Sequence, residues 1–382
     1  MQAILNQSVR RDPGHRGLFD AAEYECVEQF YTAHPDLTPT PLRSLPALAA
    51  RLGLGEVLIK DESRRWGVEA FKIAGVRFAV EQLDLHTLKQ GLACATAGNH
   101  GRAVARAARD LGVPCTVFLP AARPDAHATE RATRAARVSA MREDRATVIE
   151  TTGSYEEAVG LAAAHGNKTG ATVVSDTAWP GYERIPRLIM CGYTRLFDEA
   201  ALNWSTPPDI VIVQGGVGGL VCAAANWFAF RFGASRPFLI ASEPDNAACL
   251  LESARAGRSV NLIEDRLQTP GQQTALQTIM AGLRCVEPSP AAWPSIHAGI
   301  DAFVSVSDQR ALEAIDTLRS GGSADAVRPR HRRGRSIEAG PSGACGVAAM
   351  MALVDDPRAE SVRARARLGR STRAMAIVTE GP

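Results

Sequence analysis

The sequence has almost no excess of charge of either sign. Its 43 Lys and Arg residues nearly cancel its 41 Asp and Glu residues, so the net charge is +2 over 382 residues. Such a balance argues against a dedicated nucleic-acid-binding protein and against binding to anionic membrane surfaces. Long apolar runs are missing as well, since none reaches the roughly 20 residues that a membrane-spanning helix needs. We therefore expect neither a nucleic acid nor a membrane as a partner.

Paired cysteines of the kind that bind zinc or carry redox chemistry are also missing. The eight cysteines are scattered, none stands in a C-x-x-C pair, and no His/Cys cluster has zinc spacing. A scatter of this kind in a chain of this length does not form a disulfide scaffold. The first residues lack the basic region and apolar stretch of a secretory signal. We expect thiols in a reducing cytoplasm and no metal site.

Apolar residues, by contrast, are plentiful and regularly spaced. They make up 46% of the chain, so a sizeable core can be buried. Between residues 56 and 244, short apolar runs alternate with helical stretches, including a predicted helix over 71–85, and the run at 209–213 is typical of a strand buried on both faces. A last strand is predicted at 374–378. This alternation predicts an α/β fold whose mostly parallel sheets are flanked by helices. Residues 1–45 carry mixed signals and are expected to wrap the surface.

A glycine-rich turn follows the predicted strand at 209–213 and opens a predicted helix. It reads Gln-Gly-Gly-Val-Gly-Gly-Leu over residues 214–220. Glycines let the backbone approach an anion closely, and a helix N-terminus supplies N–H groups and a favourable dipole, so a phosphate group fits there. The turn matches neither the nucleotide P-loop nor the full dinucleotide spacing. Taken alone, it fits a plain strand–helix connection equally well.

Two further segments carry polar groups near predicted strands and helices. Residues 96–101 read Thr-Ala-Gly-Asn-His-Gly, and their amide and N–H groups suit a carboxylate or a phenolate oxygen. Alone, His100 is more commonly a cap or a packing residue than a catalyst. Lys72 stands near the start of an otherwise apolar helix. A desolvated lysine can form a Schiff base, whereas an isolated lysine more commonly extends to the surface.

A Schiff-base lysine, a phosphate-binding turn and an amide beside a carboxylate-binding turn are together what pyridoxal 5′-phosphate requires. In these segments the chain resembles the fold-type II pyridoxal-phosphate enzymes (threonine dehydratase, serine racemase, cysteine synthase). Within that family it is most similar to the diaminopropionate ammonia-lyase group. The resemblance covers residues 39–382. It is carried by the segments 60–63, 71–75, 98–102, 175–179, 181–186, 242–244, 247–251, 278–283, 340–344 and 379–381.

The resemblance implies a role for each candidate residue. Lys72 holds the cofactor as a Schiff base and later acts as acid and base, while Asn99 contacts the ring hydroxyl oxygen. Thr379 hydrogen-bonds the pyridine nitrogen, and a neutral hydroxyl there leaves that nitrogen largely unprotonated, which favours elimination. Asp176 stands where the group keeps an acid that handles the α-proton or the β-amino group. The other implied contacts are Gly215, Gly216, Val217, Gly218, Gly219 and Leu220 with the phosphate, and Thr96, Gly98, His100 and Gly101 with the substrate carboxylate.

Three features set this sequence apart or leave alternatives open. The group normally has an aspartate where this chain has Ala97, and that acid is tied to the D-enantiomer, so turnover of a D-substrate is not expected and the substrate itself can differ. The basic cluster at 328–335 is interpreted as a solvated loop or as a phosphate or nucleic-acid patch. Because the group can form a disulfide near the active site, proximity of Cys249 and Cys285 is a hypothesis, with two separate thiols as the alternative.

The sequence therefore predicts an α,β-eliminating ammonia-lyase that converts L-2,3-diaminopropionate to pyruvate and ammonia. A serine or threonine dehydratase or a β-replacing synthase is the second hypothesis, and a non-catalytic binding protein that kept the fold is the third. We predict a large cofactor-binding domain over 1–88 and 190–382, and a small mobile domain over 89–189 that closes over the substrate. The family alone implies a homodimer.

Overall fold

The computed structural model describes residues 1–11, 17–96, 98–122, 128–267, 276–322 and 336–382. Within them the chain divides into two units. We call Met1–Arg64 together with Thr194–Pro382 the large unit, and Arg65–Tyr193 the small unit. Ala97 and the basic cluster at 328–335 lie outside the described residues.

Strands and helices alternate along most of the chain, as the apolar pattern predicts. No helix among the described residues is long and apolar enough to cross a membrane. The strands are β1 (Gln2–Leu5), β2 (Leu42–Ser44), β3 (Glu56–Asp61), β4 (Leu92–Ala95), β5 (Cys115–Leu119), β6 (Thr147–Glu150), β7 (Thr172–Val173), β8 (Ile210–Gln214), β9 (Phe238–Pro244), β10 (Ala302–Val306) and β11 (Arg373–Val378). The α-helices are α1 (Ala21–Ala33), α2 (Pro46–Leu52), α3 (Lys72–Glu81), α4 (Leu85–Lys89), α5 (Asn99–Leu111), α6 (Ala128–Glu143), α7 (Tyr155–Thr169), α8 (Arg184–Tyr193), α9 (Arg195–Ala201), α10 (Gly219–Phe232), α11 (Cys249–Ala256), α12 (Leu262–Leu267), α13 (Trp293–Gly299), α14 (Asp308–Arg319), α15 (Pro341–Asp355) and α16 (Glu360–Ala366).

The large unit is built on one sheet with the strand order β1-β10-β9-β8-β11-β3-β2. The strands from β10 to β3 are parallel, and only the edge strands β1 and β2 run antiparallel to their neighbours. The apolar run predicted at 209–213 becomes β8, which is buried at the centre of the sheet because helices such as α15 pack on it. The predicted α/β fold with a mostly parallel sheet is confirmed.

The N-terminal segment contributes more to this sheet than its sequence pattern indicates. β1 pairs with β10, and β2 pairs with β3. Between them, α1 begins at a capping box in which Asp20 and Glu23 each bind the backbone N–H of the other. The expectation that residues 1–45 wrap the surface is therefore wrong for β1 and β2. An edge strand forms by pairing with another strand, and for β1 that strand is remote in the sequence.

The small unit has its own parallel sheet, ordered β6-β5-β4-β7. Helices α3 and α8 pack so closely that a Cβ added at Gly75 would lie 2.4 Å from the carbonyl oxygen of Ile189, and one at Gly192 would lie 2.8 Å from the Cα of Gly75. This contact places residues 65–88 in the small unit, whereas the predicted boundary near residue 89 assigns them to the large domain. The mobility of the small unit remains a prediction.

Candidate active site

Lys72 and Asp176 form an ion pair inside the small unit. Lys72 is the first residue of α3, and its Nζ donates a hydrogen bond to Asp176 Oδ2. The lysine side chain is only 23% exposed and the aspartate side chain 15%, so little water screens the pair. Burial opposes ionisation of Asp176, but the Lys72 ammonium and its hydrogen bond hold the pKa of this carboxyl below its usual range. Asp176 is thus an ionised carboxylate beside an amine.

His100 lies beside the same carboxylate. Its Nε2 is 2.9 Å from the carbonyl oxygen of Val174, which can only accept, so Nε2 carries the hydrogen. Burial lowers the pKa of His100, and the ring is therefore neutral with an unprotonated Nδ1. That Nδ1 is buried and stands 3.8 Å from Asp176 Oδ2, too far for a direct hydrogen bond.

The loop after β4 and the start of α5 contain the other predicted site residues of the small unit. β4 and β7 are parallel neighbours, so the segments that follow them, with Thr96 and Asp176, leave the same edge of the sheet. The N–H of Gly98 donates to Thr96 Oγ1 over 3.0 Å, and Gly98 caps α5 without a side-chain hydrogen bond. A Cβ at Gly101 would lie 2.4 Å from Thr96 Cγ2, so this position requires glycine. Asn99 is the first residue of α5, which places its side chain at a helix N-terminus where an anion is stabilised.

The glycine-rich turn lies in the large unit and connects β8 to α10. Gly218 is the N-cap residue of α10 and has φ +95°, a conformation that favours glycine. Gly216, Val217 and Gly219 are partly exposed, whereas Gly215, Gly218 and Leu220 are buried. The first N–H groups of a helix have no intrahelical acceptor, and α10 has no side-chain cap to satisfy them. Such N–H groups at a helix start suit an anion such as phosphate, and the phosphate role of the turn stays a prediction.

Side chains of the large unit pack closely against the glycine turn. A Cβ at Gly215 would lie 2.4 Å from Leu250 Cδ1, and one at Gly218 would lie 2.4 Å from Ile296 Cδ1. A Cβ at Gly216 would lie 2.9 Å from Cys285 Sγ. Substitution at any of the three would push the backbone toward the space that an anion needs.

Thr379 follows β11 and is buried in the large unit. β11 is the parallel neighbour of β8, so Thr379 and the glycine turn both lie at the carboxyl edge of this sheet. The side chain of Gln214, the last residue of β8, donates from Nε2 to Thr379 Oγ1 over 2.9 Å. The sequence motif contains Gln214, but sequence reasoning gave it no role. The available signal was its position at the end of a buried strand, directly before the glycines.

Cys249 and Cys285 both lie next to the glycine turn, as the sequence hypothesis on their proximity requires. Cys249 Sγ is 3.4 Å from the carbonyl oxygen of Gly216, and Cys285 Sγ approaches the same glycine. No disulfide joins them in the structure. Burial raises the pKa of the Cys249 thiol well above its usual value, so this group is a thiol and not a thiolate at neutral pH.

The chain matches the family model described as "Pyridoxal-phosphate dependent enzyme" over residues 34–365. It is 32% identical to diaminopropionate ammonia-lyase of Escherichia coli K12 over 385 aligned residues, which cover 95% of this chain and 89% of the relative. The corresponding protein of Salmonella typhimurium is also 32% identical, with 93% and 88% of the two chains covered.

Solved structures agree with these sequence matches. The Escherichia coli diaminopropionate ammonia lyase in complex with an aminoacrylate–PLP azomethine reaction intermediate superposes with a TM-score of 0.82 at 30% identity, covering 99% of this chain and 93% of that one. Threonine deaminase isoform 2 from Solanum lycopersicum has a TM-score of 0.75 at 20% identity, covers 100% and 88% of the two chains, and shows the shared fold alone. The chain therefore belongs to the pyridoxal-phosphate-dependent enzymes, within their diaminopropionate ammonia-lyase group.

Proposed function

We propose that this enzyme uses pyridoxal 5′-phosphate to eliminate ammonia from L-2,3-diaminopropionate, and that the product hydrolyses to pyruvate and a second ammonia. The observation that carries the proposal is the buried pair of Lys72 and Asp176, because it combines an amine that can hold the cofactor with a carboxylate that can bind the ammonium group of a diamino acid. An amino acid with a neutral β-substituent would leave that carboxylate without a charged partner.

The residues of this chain suit the cofactor. The turn from Gly215 to Leu220 excludes side chains on one face, and the uncapped N-terminus of α10 suits a dianionic phosphate. Thr379 carries a buried hydroxyl at the same edge of the large sheet. Lys72 is the amine that would hold the cofactor covalently. Asn99 is the proposed partner of the ring hydroxyl oxygen.

When bound, pyridoxal phosphate withdraws electrons from the substrate's α-carbon and so makes its proton acidic. Lys72 Nζ is placed to accept that proton once the substrate amine has displaced it. The β-nitrogen, bound as an ammonium group, takes the C–N electron pair and needs no further proton to leave. In the atom balance, the α-C–H and β-C–N bonds break, a Cα–Cβ double bond forms, and nitrogen leaves as ammonia.

Asp176 orients the substrate in this proposal. The Lys72 ammonium holds the pKa of this carboxyl low against the effect of burial, and the β-ammonium group of the substrate would replace that cation when Lys72 holds the cofactor. The backbone N–H groups of His100 and Gly101, in the first turn of α5, are the proposed partners of the substrate carboxylate, with Thr96 and Gly98 beside them. We also propose, from family resemblance, a cytoplasmic homodimer whose small unit moves during the reaction.

The test measures pyruvate and ammonia released from L- and D-2,3-diaminopropionate, L-serine and L-threonine after addition of pyridoxal phosphate. We expect activity on L-2,3-diaminopropionate, and Asp176→Asn should lower kcat/KM about 10²-fold, because the variant loses the charge that orients the substrate. The matched control is Asp144→Asn, which removes another buried, salt-bridged carboxylate of the small unit.

The other outcomes have defined meanings. Pyruvate from serine or threonine alone would make the enzyme a dehydratase. Borohydride reduction should fix the cofactor to the peptide that contains Lys72, and Lys72→Ala should not be labelled. A protein that is labelled but releases no pyruvate from any of the four amino acids would refute the proposed elimination.

A further inference from the structure

The amide of Gln214 occupies a buried pocket of hydrogen-bond acceptors. Its Nε2 lies 2.9 Å from Thr379 Oγ1 and within 3.0 to 3.2 Å of three backbone carbonyl oxygens. These carbonyls belong to Ser342, Gly343 and Ile377, so they come from the start of α15 and from β11. All four of these oxygen atoms can accept a hydrogen bond, and the three carbonyl oxygens cannot donate one.

This arrangement defines the direction of the hydrogen bond to Thr379. An amide nitrogen donates and does not accept, so the Thr379 hydroxyl hydrogen cannot point at Nε2, whose two hydrogens are shared among four acceptors. The three carbonyls prevent the amide from flipping, because a flip would place its oxygen against theirs. The hydroxyl hydrogen of Thr379 makes no hydrogen bond within the described part of the chain, and it is therefore available to an outside acceptor.

The oxygen atom of the same amide lacks such partners. Gln214 Oε1 is buried without a hydrogen-bond partner among the described residues. A buried carbonyl oxygen without a donor is destabilising, and such groups are uncommon in folded proteins unless a role retains them. The contacts of Nε2 therefore hold the Gln214 side chain in a position that leaves Oε1 without a donor among the described residues.

We propose that Gln214 is a positioning residue that makes the Thr379 hydroxyl a hydrogen-bond donor toward the ring nitrogen of the cofactor. The proposal rests on the proposed function, since Thr379 is the expected partner of that nitrogen. A hydroxyl donor leaves the nitrogen neutral, because its own proton is far too weakly acidic to transfer. Gln214 also directly precedes Gly215, so a single residue connects the phosphate-binding turn to the contact with the ring.

A double-mutant cycle tests this role. The variants are Gln214→Met, which keeps the length of the side chain but removes the donor, and Thr379→Val, which removes the hydroxyl. Each is expected to weaken binding of pyridoxal phosphate about three- to tenfold, the worth of one hydrogen bond. Because Gln214 acts through Thr379, the double variant should bind no more weakly than Thr379→Val alone. Multiplied losses in the double variant would overturn the proposal.

Two further probes separate positioning from a general disturbance of the glycine turn. Pyridoxal lacks the phosphate group, so Gln214→Met should weaken its binding by the same factor, while protection against heat by inorganic phosphate stays unchanged. In both single variants, the pH titration of the bound cofactor's visible absorbance band should shift in the same direction. A loss of phosphate protection, or an unshifted titration, would refute a positioning role.

The controls keep the outcomes distinct. Gln214→Asn retains the amide but is one methylene too short to reach Thr379, and it replaces Gln214→Met if that variant does not fold. Thr317→Val removes a buried hydroxyl of α14 that accepts from Arg51, and it should leave cofactor binding unchanged. A wild-type protein that binds no pyridoxal phosphate would refute the proposed function itself, whereas normal binding with an inert Gln214 would refute this inference alone.

Discussion

Replacing Gly218 by alanine tests how the glycine turn supports the start of α10. The residue has φ +95°, and its added Cβ would lie 2.4 Å from Ile296 Cδ1 and 3.4 Å from Leu250 Cδ2. Two separate costs follow. A non-glycine residue in left-handed backbone loses about 1–2 kcal/mol. Forcing a methyl group into a packed core costs about 1–3 kcal/mol more, and Ile296 is fully buried, so it has little room to retreat.

The two costs can be separated with matched variants. Gly257 also has a positive φ, +67°, but no atom lies within 4 Å of its added Cβ. Gly257→Ala therefore carries the backbone cost alone, about 1–2 kcal/mol, whereas Gly218→Ala should lose about 2–5 kcal/mol. Adding Ile296→Val to Gly218→Ala removes the clashing Cδ1 atom. The double variant should regain part of the packing cost, less the cost of the deleted methyl group.

Urea denaturation of the protein without added cofactor, followed by fluorescence and circular dichroism, measures these differences. The midpoint should fall further for Gly218→Ala than for Gly257→Ala. Inorganic phosphate should raise the wild-type midpoint and the Gly257→Ala midpoint but raise that of Gly218→Ala less. Equal midpoints for the two alanine variants, or a double variant that shows the full summed losses of Gly218→Ala and Ile296→Val, would show that the packing argument is wrong.

Three further predictions concern buried groups elsewhere. Lys60→Met should destabilise the protein by about 3–5 kcal/mol in urea denaturation, because it removes the buried ammonium that pairs with both the Glu62 and Glu199 carboxylates, while Glu199 keeps its ion pair with Arg195. Burial raises the pKa of the Glu243 carboxyl from 4.5 to about 8, so the folded protein holds a proton there that the unfolded chain releases. Stability should therefore fall as the pH rises from about 5 to about 8, and Glu243→Gln should flatten this dependence. Gly75→Ala should cost about 3 kcal/mol, since its Cβ would meet a backbone carbonyl of α8 at 2.4 Å.

Each of these predictions has a control variant. Lys89→Met removes an exposed lysine, and Glu252→Gln removes a partly exposed carboxylate, so both should change stability little. Gly160→Ala adds a methyl group where no atom lies within 4 Å, inside α7, and should be neutral or stabilising. A Lys60, Glu243 or Gly75 variant that behaves like its control would contradict the corresponding argument.

One error of the sequence reasoning concerns the length of the helix that contains Lys72, although a local signal for its end was present. The apolar spacing predicted a helix over 71–85, yet α3 ends at Glu81 and α4 begins at Leu85. Asp84 is the N-cap residue of α4, and its side chain accepts from the N–H groups of His86 and Thr87. An aspartate at this position is a recognised helix-start signal, but the apolar periodicity runs through it and hides the break.

The sequence by itself determined the α/β class and the mostly parallel arrangement of the strands, and it indicated the glycine turn as a candidate anion site. These follow from local properties, namely the alternation of apolar runs, the conformational freedom of glycine and the N–H groups of a helix start. The sequence also indicated Lys72 as a candidate, because a lysine beside apolar helix positions is uncommon and can be noticed without knowledge of its neighbours in space.

Only the tertiary structure decided which residues meet. Lys72 and Asp176 are 104 positions apart, and Gln214 and Thr379 are 165 positions apart. Gln214 meets Thr379 because β8 lies beside β11, whereas Lys72 meets Asp176 because α3 packs against α5, and α5 follows β4, the neighbour of β7. The tertiary structure also assigned residues 65–88 to the small unit, through the close contact of α3 with α8. Strand pairing and helix packing depend on surfaces remote in sequence, so no local pattern specifies them.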